Sequence, residues 1–191
     1  MKTILALMLL FCSQAQGAML WLQQTAVDGD QLSVDLMIGE LNDAAGQRLS
    51  GFDLDVAFDS SVLSLLSFSY TSMLGEVNID ALPGLDGENQ PGVLSLSLVS
   101  LFWADLSVQT RSFALASLVF DISALPTASS TWLNIGSVRE LLDQDSQLFQ
   151  PETVTNLAVT AVSEPASTVL FMLASAFLLV RLRQSCIHPV K

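Results

Sequence analysis

Residues 52–59 read Phe-Asp-Leu-Asp-Val-Ala-Phe-Asp. On an extended chain Phe52, Leu54, Val56 and Phe58 share one side, and Asp53, Asp55 and Asp59 share the other. A hydrophobic period of two belongs to a strand with one buried and one wet face. Three further segments repeat it: Leu32, Val34, Leu36 and Ile38; Leu94, Leu96 and Leu98; and Ala114, Ala116, Leu118, Phe120 and Ile122. Trp132–Ile135 and Val154–Val162 carry weaker strand patterns. Asp28-Gly29, Gly46, Pro83-Gly84, Asp86-Gly87 and Pro91-Gly92 supply turn residues between them. Only Val62–Phe68 and Val138–Leu142 read as short helical turns. Many strands with no long helical period predict an all-β chain, a jelly-roll β-sandwich whose two inner faces make the core.

Both ends depart from that pattern. Lys2 precedes a nine-residue apolar run, Ile4–Cys12, which is too short to span a bilayer but suits the h-region of a signal peptide. Ala15 and Gly17 then place small residues where signal peptidase reads them. The expected cut follows Gly17, with a cut after Ala15 as the alternative. At the other end, residues 168–180 form an uncharged apolar run of 13 residues followed by Arg181 and Arg183. An ordinary spanning helix needs roughly 17 to 25 residues. The arginines suit a cytoplasmic flank, which puts the acidic middle of the chain outside. A simple C-terminal membrane anchor is one reading of this end.

Val162-Ser163-Glu164-Pro165-Ala166-Ser167, the short apolar helix and the arginine cluster occur in that order at the C-terminus. Together they resemble the PEP-CTERM sorting signal of Gram-negative bacteria, with Ser163 where the family usually carries a first proline. The resemblance implies export, transient anchoring by residues 168–180, and cleavage near Glu164-Pro165 by an exosortase. It also implies a final place at the cell surface or outside the cell, in association with exopolysaccharide and biofilm.

A second resemblance covers roughly residues 20–160. Residues 33–41 (SVDLMIGEL), 51–68 (GFDLDVAFDSSVLSLLSF) and 112–122 (SFALASLVFDI) look like a cohesin-like domain. That family implies a nine-stranded jelly-roll, shared with some carbohydrate-binding modules, and true cohesins bind dockerins through one sheet face. The expected organisation is a signal peptide at 1–17, a cohesin-like domain at 18–161, a sorting signal at 162–185 and a cytoplasmic tail at 186–191.

Chemistry is thinly represented in the middle segment. The chain carries a formal charge of -12, which argues against a nucleic-acid partner, yet 51% of it is hydrophobic, which excludes a disordered acidic chain. Residues 18–161 hold 18 acids against Arg48, Arg111 and Arg139 and contain no lysine. The one histidine, His188, and both cysteines, Cys12 and Cys186, lie outside that segment. Ser-His-Asp and Cys-His catalysis, histidine-ligated zinc and disulfides are therefore excluded there.

Carboxylates remain. A pair of them could run glycoside hydrolysis, with Asp53, Asp55, Asp59, Asp80, Asp86 and Glu88 as the choices. Asp86, Glu88 and Asn89 lie in a loop of oxygen donors that calcium could use. Trp21, Tyr70, Trp103 and Trp132 could stack on a sugar, Trp103 and Tyr70 being the preferred pair. The expectation is a binding module without catalysis or cofactor. Its partners would be a surface protein or exopolysaccharide, besides signal peptidase and exosortase; a carboxylate-dependent glycoside-acting enzyme is the alternative.

Overall fold

The computed structural model describes residues 17–41, 47–102 and 104–161. Among them the chain forms eleven strands: β1 (Met19–Asp28), β2 (Gln31–Gly39), β3 (Leu49–Phe58), β4 (Ser64–Tyr70), β5 (Ala81–Pro83), β6 (Gly87–Gln90), β7 (Val93–Ser100), β8 (Phe113–Asp121), β9 (Ser130–Asp143), β10 (Thr153–Thr155) and β11 (Leu157–Thr160). They pair into two sheets, one ordered β10-β1-β2-β8-β4 and the other β11-β9-β3-β7-β5, with β6 also on β7. The expected β-sandwich is present. The count exceeds the nine strands of the resemblance because β5, β6, β10 and β11 are pieces of three or four residues.

The alternation that defines β3 buries Phe52, Leu54, Val56 and Phe58 against the facing sheet. Leu32, Val34, Leu36 and Ile38 of β2 and Leu94, Leu96 and Leu98 of β7 do the same, as their spacing predicts. Phe58 and Phe120 meet edge-on across the two sheets at 5.2 Å, a favoured arrangement for rings.

Three expectations are corrected. In β8 the inward set is Ala116, Leu118 and Phe120, but Phe113 and Leu115, not Ala114, are buried before it. The cause is a bulge: Leu36 pairs with Ala116 and Met37 with Ala114, so Leu115 is extra and reverses the faces. Val62–Phe68 is mostly strand β4, where a bulge between Leu65 and Ser67 brings Leu65 and Phe68, three apart, to one face and so imitates a helical period. Val138–Leu142 is the end of β9, whose period is broken by irregularities against β3.

The closing of the sandwich is local to the end of the domain. β10 pairs in parallel with β1 in one sheet, and β11, after Asn156 alone, pairs antiparallel with β9 in the other. The Asn156 side chain accepts the Ile135 amide at 3.0 Å where the chain crosses. Gln109 is the buried polar side chain of the core. Its Oε1 accepts the Leu49 amide at 2.9 Å, and its Nε2 donates to the carbonyls of Leu49 (2.7 Å) and Met73 (2.9 Å).

Candidate functional site

Strand alternation decides what the six-stranded sheet shows to solvent. With Phe52, Leu54 and Val56 inside, Asp53 and Asp55 of β3 must face out, beside Ser95 and Ser97 of β7. On the other flank β9 is irregular. Gly136 and Ser137 stand opposite Asp55 alone, and Arg139 is an extra residue between Val138 and Glu140. Bulges of this kind re-aim side chains, and here they turn two toward Asp55. The Ser137 hydroxyl donates to Asp55 at 2.6 Å, and Arg139 donates to Asp55 at 2.6 Å and to Asp53 at 2.5 Å. Ser95 donates to the other Asp55 oxygen at 2.8 Å.

Burial pushes the Asp55 carboxyl up, but the hydrogen bonds from Arg139, Ser137 and Ser95 outweigh it and hold the group below its ordinary range. Asp53 and then Asp55 raise the Arg139 guanidinium above its own. Asp55 and Arg139 are therefore both ionised near neutral pH. A glycosidase acid needs a raised carboxyl; Asp55 is held in the opposite sense. Asp59 is not part of this cluster: it caps its own turn through the Ser61 amide (2.9 Å) and hydroxyl (2.6 Å).

Two grooves open on this face, the first of them over the polar centre itself. One, of about 320 Å³, is lined by Asp53, Leu85, Asn89, Ser95, Ser97 and Arg139. The other, of about 300 Å³, includes Ser50, Val99, Leu101, Phe102, Leu106 and Leu142. Register explains the apolar row that lines the second: Leu82 pairs with Val99, Val99 with Gly51, and Gly51 with Leu142. A Cβ at Gly51 would stand 3.2 Å from Val99 and 3.3 Å from Leu142, so glycine lets these side chains close over β3. Leu85 and Phe102 are more than nine-tenths exposed at either side.

Tyr70 is half-buried at the edge of the five-stranded sheet, edge-on to Phe52 and Phe68 at 5.9 Å each. Its hydroxyl donates to the Ser97 carbonyl at 3.2 Å and accepts the Ser97 amide at 3.0 Å, an amide shared with Asp86 at 2.8 Å. Burial, then Asp86, pushes the phenol well above its ordinary range. The Glu88 carboxylate accepts the Gly92 amide at 2.8 Å. Asp86, Glu88 and Asn89 are thus not drawn to a common point by their hydrogen bonds, and among the described residues no group of three or more His, Cys, Asp or Glu is gathered that could hold a metal ion.

Trp21 covers Gly39 on the outside of the other sheet. Trp132, on β9, is 56% exposed and sits on the same outer face as Asp55, because Leu133 and Ile135 point inward. Trp103, Ala15, Ser163, Glu164, Pro165, Ala166, Ser167, Arg181 and Arg183 lie outside the described residues. Among those described, no helix is long and apolar enough to cross a membrane, and the run 168–180 is not among them.

Sequence reasoning missed Arg139. Nothing near it signals a partner 84 residues away, and only the pairing of β9 with β3 brings them together. It also missed the row at Gly51, whose signal was the glycine that opens the best strand of the chain.

No protein-family model matches the chain, and no curated protein matches it. Solved structures do. The seventh ScaB type I cohesin from Pseudobacteroides cellulosolvens matches with a TM-score of 0.60 at 14% identity, over 78% of this chain and 95% of that one. The sixth cohesin of Acetivibrio cellulolyticus scaffoldin B, solved with a mutant Cel5 dockerin, matches at 0.57 and 19% identity over 76% and 99%. A type I cohesin–dockerin complex from Clostridium thermocellum, Coh-OlpA-Doc918, matches at 0.59 and 11% identity over 77% and 99%. The described domain has the cohesin fold.

Proposed function

We propose that this chain is an exported surface or matrix protein whose β-sandwich is a non-catalytic binding module for a protein partner. The docking face is the outer face of the six-stranded sheet. The observation that carries this reading is the Asp53–Asp55–Arg139 triad, fixed by serines on both flanks and bordered by the apolar row Leu82, Val99 and Leu142. Preorganised charges beside exposed apolar groups suit recognition, since little side-chain freedom is lost on docking. Support also comes from similar folds solved with dockerins, which makes a dockerin-like protein the first partner to test and exopolysaccharide the second.

The chain would reach the outside through its signal peptide, be held by residues 168–180, and be released by exosortase near Glu164-Pro165. An intact mass that stops near residue 164 supports this sorting; a product retaining residues 168–191 in a strain with active exosortase favours a simple anchor.

The binding test uses the full chain and its Asp55→Arg variant. Both are measured by surface plasmon resonance against type I dockerins and against purified exopolysaccharide. A dockerin-like partner whose affinity falls at least about tenfold in the variant, with an unchanged circular dichroism spectrum, is the expected result. Equal binding by both proteins removes this face from the function.

A further inference from the structure

Ala18 and Gly17 begin the fold against a single acidic side chain. The Glu152 amide donates to the Ala18 carbonyl at 2.8 Å, just before β10 pairs with β1. The Glu152 carboxylate in turn accepts the Gly17 amide at 2.9 Å. Its stem lies so close that a Cβ on residue 17 would stand 2.6 Å from the Glu152 Cβ and 2.8 Å from its Oε2. Glycine is needed at 17 if Glu152 is to lie there. Glu152 is thus held by its backbone to one residue and by its side chain to the residue before it, while Ala18 itself is buried.

The sequence places signal-peptidase cleavage at this same bond. We infer that Glu152 is the built-in acceptor for the α-ammonium group created at Ala18 when residues 1–17 are removed. The inference rests on the export reading above. Cleavage adds water across the Gly17–Ala18 bond, leaving a carboxylate on Gly17 and an ammonium on Ala18. The Gly17 amide departs with the leader. The Ala18 nitrogen lies one residue along the chain, at most about 3.6 Å away, and takes its place. A neutral hydrogen-bond donor is replaced by a charged one, which makes the stronger bond to a carboxylate. Docked on Glu152, the bond cannot lie extended in a protease, so cleavage precedes the joining of β10 to β1. Leader removal and completion of the fold are coupled in that order.

Absence of lysine from residues 18–161 makes the test direct, because the new amine is the sole amine of the processed domain and Lys191 serves as an internal reference if the tail is kept. The full chain and its Glu152→Gln variant are produced in an exporting host. The secreted products are weighed by intact mass and then treated with an amine-acylating reagent near pH 8. The glutamine side chain still accepts a hydrogen bond but carries no charge. A mature product beginning at Ala18 that acylates about three- to tenfold more slowly than the Glu152→Gln product, with unchanged labelling of any Lys191, is the expected result; a rise of one unit from an ordinary α-amine lowers the free-amine fraction at pH 8 about fivefold. Equal rates overturn the ion pair while leaving the export reading intact. A product that keeps residues 1–17 overturns both, and the mass distinguishes the two failures before any labelling.

Discussion

Gln109 does the work of a missing strand residue. Its side-chain amide reproduces both backbone hydrogen bonds of a strand partner for Leu49 and adds one to Met73. Gln109→Ala leaves buried backbone groups unsatisfied, which costs about 2–4 kcal/mol, read as a lower urea midpoint with an unchanged slope. Gln109→Glu keeps the acceptor but loses both donors, so it also lowers the midpoint.

Asp55 sets a pH dependence of known sign. Its folded value lies below the ordinary 3.8. Its stabilising contribution is therefore complete above that value and is lost as pH falls through the lower folded one. The expected outcome is a steeper loss of stability in acid for the native chain than for Asp55→Asn, measured by urea denaturation at several pH values down to pH 2. Parallel curves would contradict it. The Asp-x-Ser turns at Asp59, Asp105 and Asp121 were readable as residues but not as a device: in each the serine two positions on donates to the aspartate and lowers its pKa.

At the scale of elements, the turn between β6 and β7 shows what the sequence states plainly. Pro91-Gly92 predicts a reversal, and Gly92 adopts φ 79°, a left-handed conformation suited to glycine. A Cβ there would also collide with the Phe58 carbonyl oxygen, whose strand reaches back through the Phe58 amide to Gly92 (2.8 Å). Gly92→Ala destabilises by about 1–3 kcal/mol from the backbone conformation alone, measured as a lower thermal midpoint. Strands β2, β3 and β7 were legible because their alternating segments hold no extra residue: the bulges opposite them fall on their partners β1, β8, β9 and β6. Strand β8 was legible only beyond Ala116, and β4 and the end of β9 were not, because a bulge shifts the period by one and a periodic reading has no means to foresee it. Strand β1 escaped because only Leu20 and Leu22 of its ten residues are buried. The same irregularity in β9 hid the candidate site: the outward aspartates of β3 were visible, their arginine was not.

Across the whole molecule the charge is one-signed. Residues 18–161 place 18 acids against three arginines, and two of those, Arg111 and Arg139, pair with Glu40 and with Asp53 and Asp55. Like-charge repulsion is then the larger long-range effect, and salt screens it. The thermal midpoint is expected to rise between about 0.01 and 0.15 M NaCl, over which the Debye length falls from about 30 to 8 Å. A falling midpoint would mean that the few ion pairs outweigh the repulsion.

The crossing at Asn156 has a consequence in time. Met19, at the head of β1, finds its β10 partner in Thr153, and β9 finds its last neighbour in β11 immediately afterwards. A chain that emerges from its N-terminus therefore holds both sheets open along one side until residues 153–160 are out. The order of emergence leaves an interval in which every earlier strand is available to pair but the seam is unsealed. Residues 153–160 act as the closing step of folding, and a chain stalled before them would present two unpaired strand edges to its neighbours.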